Sequence, residues 1–135
     1  YPWRERGKPQ PNNIYDLNLD DGKLNLKWNL KQSESYVLDE SQNDRVGCIH
    51  TVQGVDLDYV GVIIGKDIYY KDGKIQFRQE AHPTDDDSGI RTADREVADR
   101  LIRNTYKVLL TRGRFGTYVY CEDKPLNEYL KSLIK

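Results

Sequence analysis

The chain has 135 residues, so one compact domain is expected, able to bury roughly two thirds of its unfolded surface around a single core. Hydrophobic residues make up 37% and charged ones 32%, and ten Tyr and two Trp add amphipathic bulk, which argues against wholesale disorder. With 21 Lys and Arg against 22 Asp and Glu the net charge is -1, which excludes gripping nucleic acid by bulk charge and leaves any anion site to a local cluster.

Residues 1–13 hold three of the five prolines and read as an irregular lead-in to one domain over 14–135. The alternation from Ile14 to Leu19, the turn signal Asp20-Asp21-Gly22-Lys23 and the alternation from Leu24 to Trp28 predict a hairpin over 14–28. Residues 29–45 are polar and read as a loop or a short helix. Val46 to Ile49 and Val60 to Gly65 read as central strands; continuous apolar character means burial on both faces, as in a parallel sheet. Asp72-Gly73 between Ile68–Lys71 and Lys74–Arg78 predicts a second hairpin. Residues 79–93, with Asp85-Asp86-Asp87, read as an exposed, mobile loop. A helix follows, capped by Thr92 or Asp94, with Glu96 in its first turn and an apolar stripe of Val97, Leu101, Ile102, Val108 and Leu109. Gly113 and Gly116 break the chain before a strand Thr117–Cys121, and an amphipathic helix runs from Pro125 to Leu133. Strands alternating with helices predict an α/β sheet with added β-hairpins.

No apolar run approaches the roughly 20 residues that span a bilayer, and no signal peptide is visible. Cys48 and Cys121 are too few for a disulfide framework, so a cytoplasmic setting is expected. The chain holds no Met and opens Tyr1-Pro2-Trp3, which suggests a processed chain or a piece of a longer one.

Two clusters carry chemistry. In the first, an apolar strand runs into His50-Thr51-Val52-Gln53-Gly54, with Asp56 and Asp58 following; it offers a hydroxyl, an amide and a close backbone approach. The carboxyl edge of an open parallel sheet, where ligands sit, is the expected place for it and for the arginine of the second cluster. That second cluster spans Arg103 to Phe115, with four basic residues and no acid, and Arg112 stands at the helix end beside Gly113. A guanidinium there can hold a phosphate through two N–H groups, or can cap helix carbonyls. Three other readings are weaker. Cys48, His50, His82 and Cys121 do not follow zinc-ligand spacing. Asp85 to Asp87 lack the companions of a metal-dependent nuclease. Tyr69, Tyr70, Phe77, Tyr118 and Tyr120 read as half-buried sheet residues before they read as base-stacking ones.

In order, His50-Thr51-Val52-Gln53-Gly54-Val55-Asp56 before an apolar strand, and Tyr106-Lys107-Val108-Leu109-Leu110-Thr111-Arg112-Gly113-Arg114 at a helix end, resemble motifs V and VI of superfamily-one helicases. Bacterial Schlafen-like DNA/RNA helicases are the nearest in kind, over roughly residues 46–130. The resemblance implies the second, C-terminal RecA-like domain: a mostly parallel sheet flanked by helices. It implies that Arg112 reaches the γ-phosphate of ATP, that Gln53, Gly54 and Asp56 line the nucleotide cleft with Arg114 as a supporting cation, and that His50 and Thr51 touch a nucleic-acid phosphate. Asp56 stands where the family usually has Glu. ATP and magnesium would be held mainly by an N-terminal RecA-like domain of the same parent chain, and single-stranded DNA or RNA would be the partner, with no membrane. No complete phosphate loop is present, since Gly61-Val62-Ile63-Ile64-Gly65-Lys66-Asp67 is one residue short and ends in Asp. The fragment alone is therefore expected to hydrolyse no ATP. The alternative is a non-catalytic module of the same shape that binds nucleic acid or protein.

Overall fold

The computed structural model describes residues 17–28, 45–52, 54–82 and 89–134. The chain divides into two compact units between Val55 and Asp56.

In the first unit, β1 (Leu17–Leu19) and β2 (Leu24–Trp28) pair antiparallel, Leu17 opposite Leu26 and Leu19 opposite Leu24. This is the expected hairpin; its residues 14–16 lie outside the described ones. The turn holds Asp20, Asp21 and Gly22 at positive φ, closed by Gly22 N donating to Leu19 O at 3.1 Å. The expected strand from Val46 to Ile49 is shorter. Only Arg45–Val46 forms β3, parallel to β2, and Ile49–Val52 is a single helical turn, α1. Three apolar residues, Val46, Cys48 and Ile49, interrupted by Gly47, do not separate strand from helix by period alone. The Thr51 amide and hydroxyl, both donating to Cys48 O at 3.0 and 2.8 Å, settle it as helical. Of the polar stretch 29–45, only Arg45 is among the described residues.

In the second unit, β4 (Leu57–Ile64) pairs parallel with β7 (Gly113–Cys121), Leu57 opposite Gly113 and Ile64 opposite Cys121. The crossover between them carries the hairpin β5 (Ile68–Lys71) and β6 (Lys74–Phe77), whose turn has Asp72 and Gly73 at positive φ as that dipeptide predicts, and then α2 (Arg95–Leu110). After β7 comes α3 (Lys124–Leu133), capped by Asp123, which accepts from Leu126 N at 2.8 Å. The core gathers Val62, Ile64, Ile68, Ile90, Ala98, Ile102, Tyr106, Cys121 and Leu126.

Three expectations change. The buried stripe of α2 is Ala98, Ile102 and Tyr106, with Leu109 partly buried, whereas Leu101 and Val108 are exposed. Ala98 and Tyr106 fit the helical period as well, and the phenol finds polar partners inside. Gly113 and Gly116 lie within β7 instead of before it. Three residues of β4, Leu57 to Tyr59, face four of β7, Gly113 to Gly116. A Cβ on Gly113 would collide with the Gly116 carbonyl oxygen, so glycine permits this bulge. The described part of 79–93 is no solvated loop. A 3-10 turn spans Gln79–Ala81, Ile90 is buried, and Gln79 Nε2 donates to the carbonyls of Ile90, Arg91 and Ala93 at 3.2, 3.1 and 2.7 Å. Asp85, Asp86 and Asp87 lie outside the described residues.

The chain is thus α/β, with helices, two hairpins and parallel pairs β4–β7 and β2–β3 among the described residues.

Candidate functional site

The long helix stops where its residues can no longer bond forward. Thr111 turns its hydroxyl back to Lys107 O and Val108 O, at 2.9 and 3.2 Å, and Gly113 opens β7. Arg112 is held between these features. Its Nε donates to Val108 O at 3.2 Å, the helix-capping contact, while Nη1 lies 3.5 Å from Asp56 Oδ1. The Arg112 backbone carbonyl accepts from Leu57 N at 2.9 Å, joining the helix end to the start of β4. One step along the strands, Arg114 Nη1 lies 3.9 Å from Asp58 Oδ1, and its guanidinium sits 5.5 Å from the centre of the Phe115 ring. The structure therefore brings Asp56, Arg112 and Arg114 together at one corner and adds Asp58.

Exposure decides what this corner can do. The Arg112 side chain is 23% exposed but that of Asp56 is 71% exposed. An ion pair this wet contributes roughly 1 kcal/mol or less, so Asp56 holds the guanidinium weakly. An oxyanion offering two oxygens in one plane can compete for it. The pairing of Asp56 and Asp58 with arginines does not suit them to hold magnesium.

The corner lies at the amino ends of β4 and β7, not at the carboxyl edge that was expected. Asp56 and Arg112 each immediately precede a strand of a parallel pair, so they come to the amino end together. The carboxyl end is occupied by the protein itself. Asp67, 3% exposed, accepts from the Tyr106 hydroxyl at 2.8 Å and faces His82 Nε2 at 3.2 Å. The Tyr106 oxygen in turn accepts from Gly65 N at 3.1 Å. Burial, followed by the Asp67 charge, holds the Tyr106 phenol well above its usual range. This network was not anticipated as such. Its one signal in sequence is an acid, Asp67, set between the apolar runs that end at Ile64 and begin at Ile68.

The other expected site residues belong to the first unit. His50 is exposed on α1. Thr51 is buried, and its hydroxyl is engaged by Cys48 O. Gly54 stands at φ +78 with open space around a Cβ, so the backbone angle is what asks for glycine there. Gln53 lies outside the described residues. Of the aromatic residues considered for stacking, Tyr70 stacks on Tyr129 at 4.3 Å, Arg78 covers Tyr69 and Arg103 covers Phe77, while Tyr118 is exposed. Among the described residues no three His, Cys, Asp or Glu side chains gather as metal ligands would, and no helix is long and apolar enough to cross a membrane.

Comparison with known proteins agrees with the motif reading at the level of family. The model of the Schlafen group 3 DNA/RNA helicase domain matches residues 1–123. An uncharacterized protein of Saccharomyces cerevisiae, YPL245W, is 42% identical over 95 residues, covering 64% of this chain and 20% of its own length. The chain thus spans about a fifth of that relative. No solved structure matches. The chain belongs to the Schlafen group 3 DNA/RNA helicase domain family.

Proposed function

We propose that this chain is the C-terminal, RecA-like motor half of an ATP-dependent nucleic-acid helicase or translocase. In this reading Arg112 is the arginine finger. It reaches a triphosphate held by an N-terminal RecA-like domain of the same parent chain, and stabilises charge that develops as the terminal phosphoryl group leaves. Gln53, Gly54 and Asp56 line the cleft, Arg114 adds positive potential, and His50 and Thr51 lie along a sequence-blind grip on single-stranded DNA or RNA phosphates. Asp56 has a further role here: it orients the guanidinium and yields it to a more highly charged ligand.

The observation that supports this best is the meeting of the two motifs, Asp56 with Arg112 at 3.5 Å, in a chain of a helicase-domain family. Magnesium is not assigned to residues of this chain, since Asp67 is engaged by Tyr106 and His82, and Asp56 and Asp58 by arginines. In the full-length protein, Arg112→Ala is expected to leave ATP binding intact while lowering nucleic-acid-stimulated hydrolysis by a factor of about 10³ to 10⁵. Unchanged hydrolysis would remove the assignment.

A second reading has one observation in its favour. Arg112 already has two contacts within its own chain, Val108 O and Asp56, as a purely structural cap would. A non-catalytic module that binds nucleic acid or protein follows from it. That module predicts stability loss from Arg112→Ala and no change in turnover.

A further inference from the structure

The helix that buries Ala98, Ile102 and Tyr106 turns a different face outward. Arg100, Arg103, Asn104 and Lys107 are all exposed, and their spacing puts them on one stripe. From Arg100 to Cys121 the sequence carries five basic residues and no acid, in a chain whose charges otherwise nearly cancel. Asp56 and Asp58 offset Arg112 and Arg114, but Arg100, Arg103 and Lys107 make no ion pair with any described residue. Arg103 is also held in place, its guanidinium 5.1 Å from the centre of the Phe77 ring. Stacking of this kind uses the face of the group and leaves its in-plane N–H donors to an acceptor.

We infer that the outer face of α2, through Arg100, Arg103 and Lys107, is a contact surface for the phosphate backbone of a single-stranded nucleic acid. The three cations succeed one another about once per turn, along about 10 Å of helix axis. That is a line of charge, which suits a polyanion of regular spacing better than a single carboxylate or a compact anion. A backbone contact of this sort is sequence-blind and releases counterions, so it has a measurable salt signature. The choice of a nucleic acid among polyanions rests on the helicase reading above; the stripe itself does not depend on Arg112 being a finger.

The test is fluorescence anisotropy of a labelled oligothymidylate of about 15 nucleotides, titrated with the full-length protein at several salt concentrations. The double variant Arg100→Gln, Lys107→Gln changes only exposed side chains and is expected to keep the wild-type melting temperature. Each lost phosphate contact flattens the plot of log affinity against log salt by about 0.7, so the double variant is expected to be flatter by about 1.4 and to bind about tenfold or more weakly at low salt. Arg103→Gln flattens it by a further step of about 0.7, and Arg103→Lys restores most of that. Equal slopes and affinities for wild type and double variant overturn the inference, as does undetectable binding by the wild type. Equal loss of binding to a polyglutamate competitor also overturns it, because the surface would then be one for acidic proteins. If the double variant loses oligonucleotide binding in a protein that never hydrolyses ATP, the surface stands and the motor reading fails. If turnover depends on Arg112 but the slopes are equal, the motor reading stands and the surface fails.

Discussion

The two ends of the β4–β7 pair use the same chemistry, an acid facing a base or a hydroxyl, under opposite conditions. At the carboxyl end Asp67, His82 and Tyr106 are buried and bonded to one another and to the backbone. At the amino end Asp56 with Arg112, and Asp58 with Arg114, meet at longer range and in contact with water. Polar groups out of water are costly to leave unpaired, so the first set is fixed. Wet ion pairs exchange partners at little cost, so the second can give up an internal contact for a ligand. The difference locates structure at one end and adjustability at the other, and function in this chain is best sought where the charges remain adjustable.

Substitutions at the two ends test whether they differ in this way. The largest expected effect is Asp67→Ala, which strips acceptors from both Tyr106 and His82. A loss of about 3 kcal/mol or more in urea unfolding is expected, at about 1–3 kcal/mol for each buried group left without its partner. Tyr106→Phe keeps the ring, abandons the Gly65 amide and the Asp67 carboxylate, and is expected to cost about 1–3 kcal/mol. Gly113→Ala marks the limit of adjustability at the amino end. Charges there are loose but the backbone is not, and a Cβ driven against the Gly116 carbonyl is expected to cost about 1–3 kcal/mol. Asp56→Ala, by contrast, should change the unfolding midpoint by about 1 kcal/mol or less. If Asp56→Ala proved as damaging as Asp67→Ala, the contrast between the two ends would be lost.

Alkaline titration tests the buried end in another way. Burial, reinforced by Asp123, pushes the Cys121 thiol from 9.0 up to about 11, and Tyr106 is held well above 10.0 by burial and Asp67. In both cases the fold favours the protonated form, so the unfolded chain releases its proton first. The stability these groups contribute is whole below pH 9.0 and declines as pH rises, first through Cys121 between 9.0 and about 11 and then through Tyr106. Unfolding midpoints should therefore fall across that window, and Cys121→Ala should fall less steeply from its lower starting point. A flat wild-type profile would contradict the burial argument.

Much of the local structure was legible in the sequence. Asp72-Gly73 specified a hairpin turn, and Pro125 marked the start of α3, because the chemistry of turns and helix starts is local. The burial pattern of α2 was less so. Ala98 and Tyr106 are not obvious core residues, and only the presence of Asp67 and Gly65 makes a buried phenol affordable. The glycines of β7 read as breaks because their role, a bulge against β4, depends on a partner strand distant in sequence. At the candidate site, the association of Asp56 with Arg112 was implicit in the order of the motifs. Its place at the amino end also followed from sequence, since each residue precedes a strand, but the carboxyl-edge rule for open sheets concealed it. The network around Asp67 was not legible as a network, because it joins Gly65 and Asp67 to His82 and Tyr106, from segments far apart in sequence.

Whether the Arg112 guanidinium serves a phosphate decides what this corner of the molecule does. Single-turnover hydrolysis of ATP by the full-length protein bound to nucleic acid, with Arg112→Ala and Arg112→Lys beside the wild type, tests this most directly. Both variants are predicted to bind nucleotide normally and to lose the chemical step, alanine by a factor of about 10³ or more and lysine by less, since an ammonium keeps the charge but not the planar fork. Wild-type rates in both variants would show that Arg112 only caps its helix.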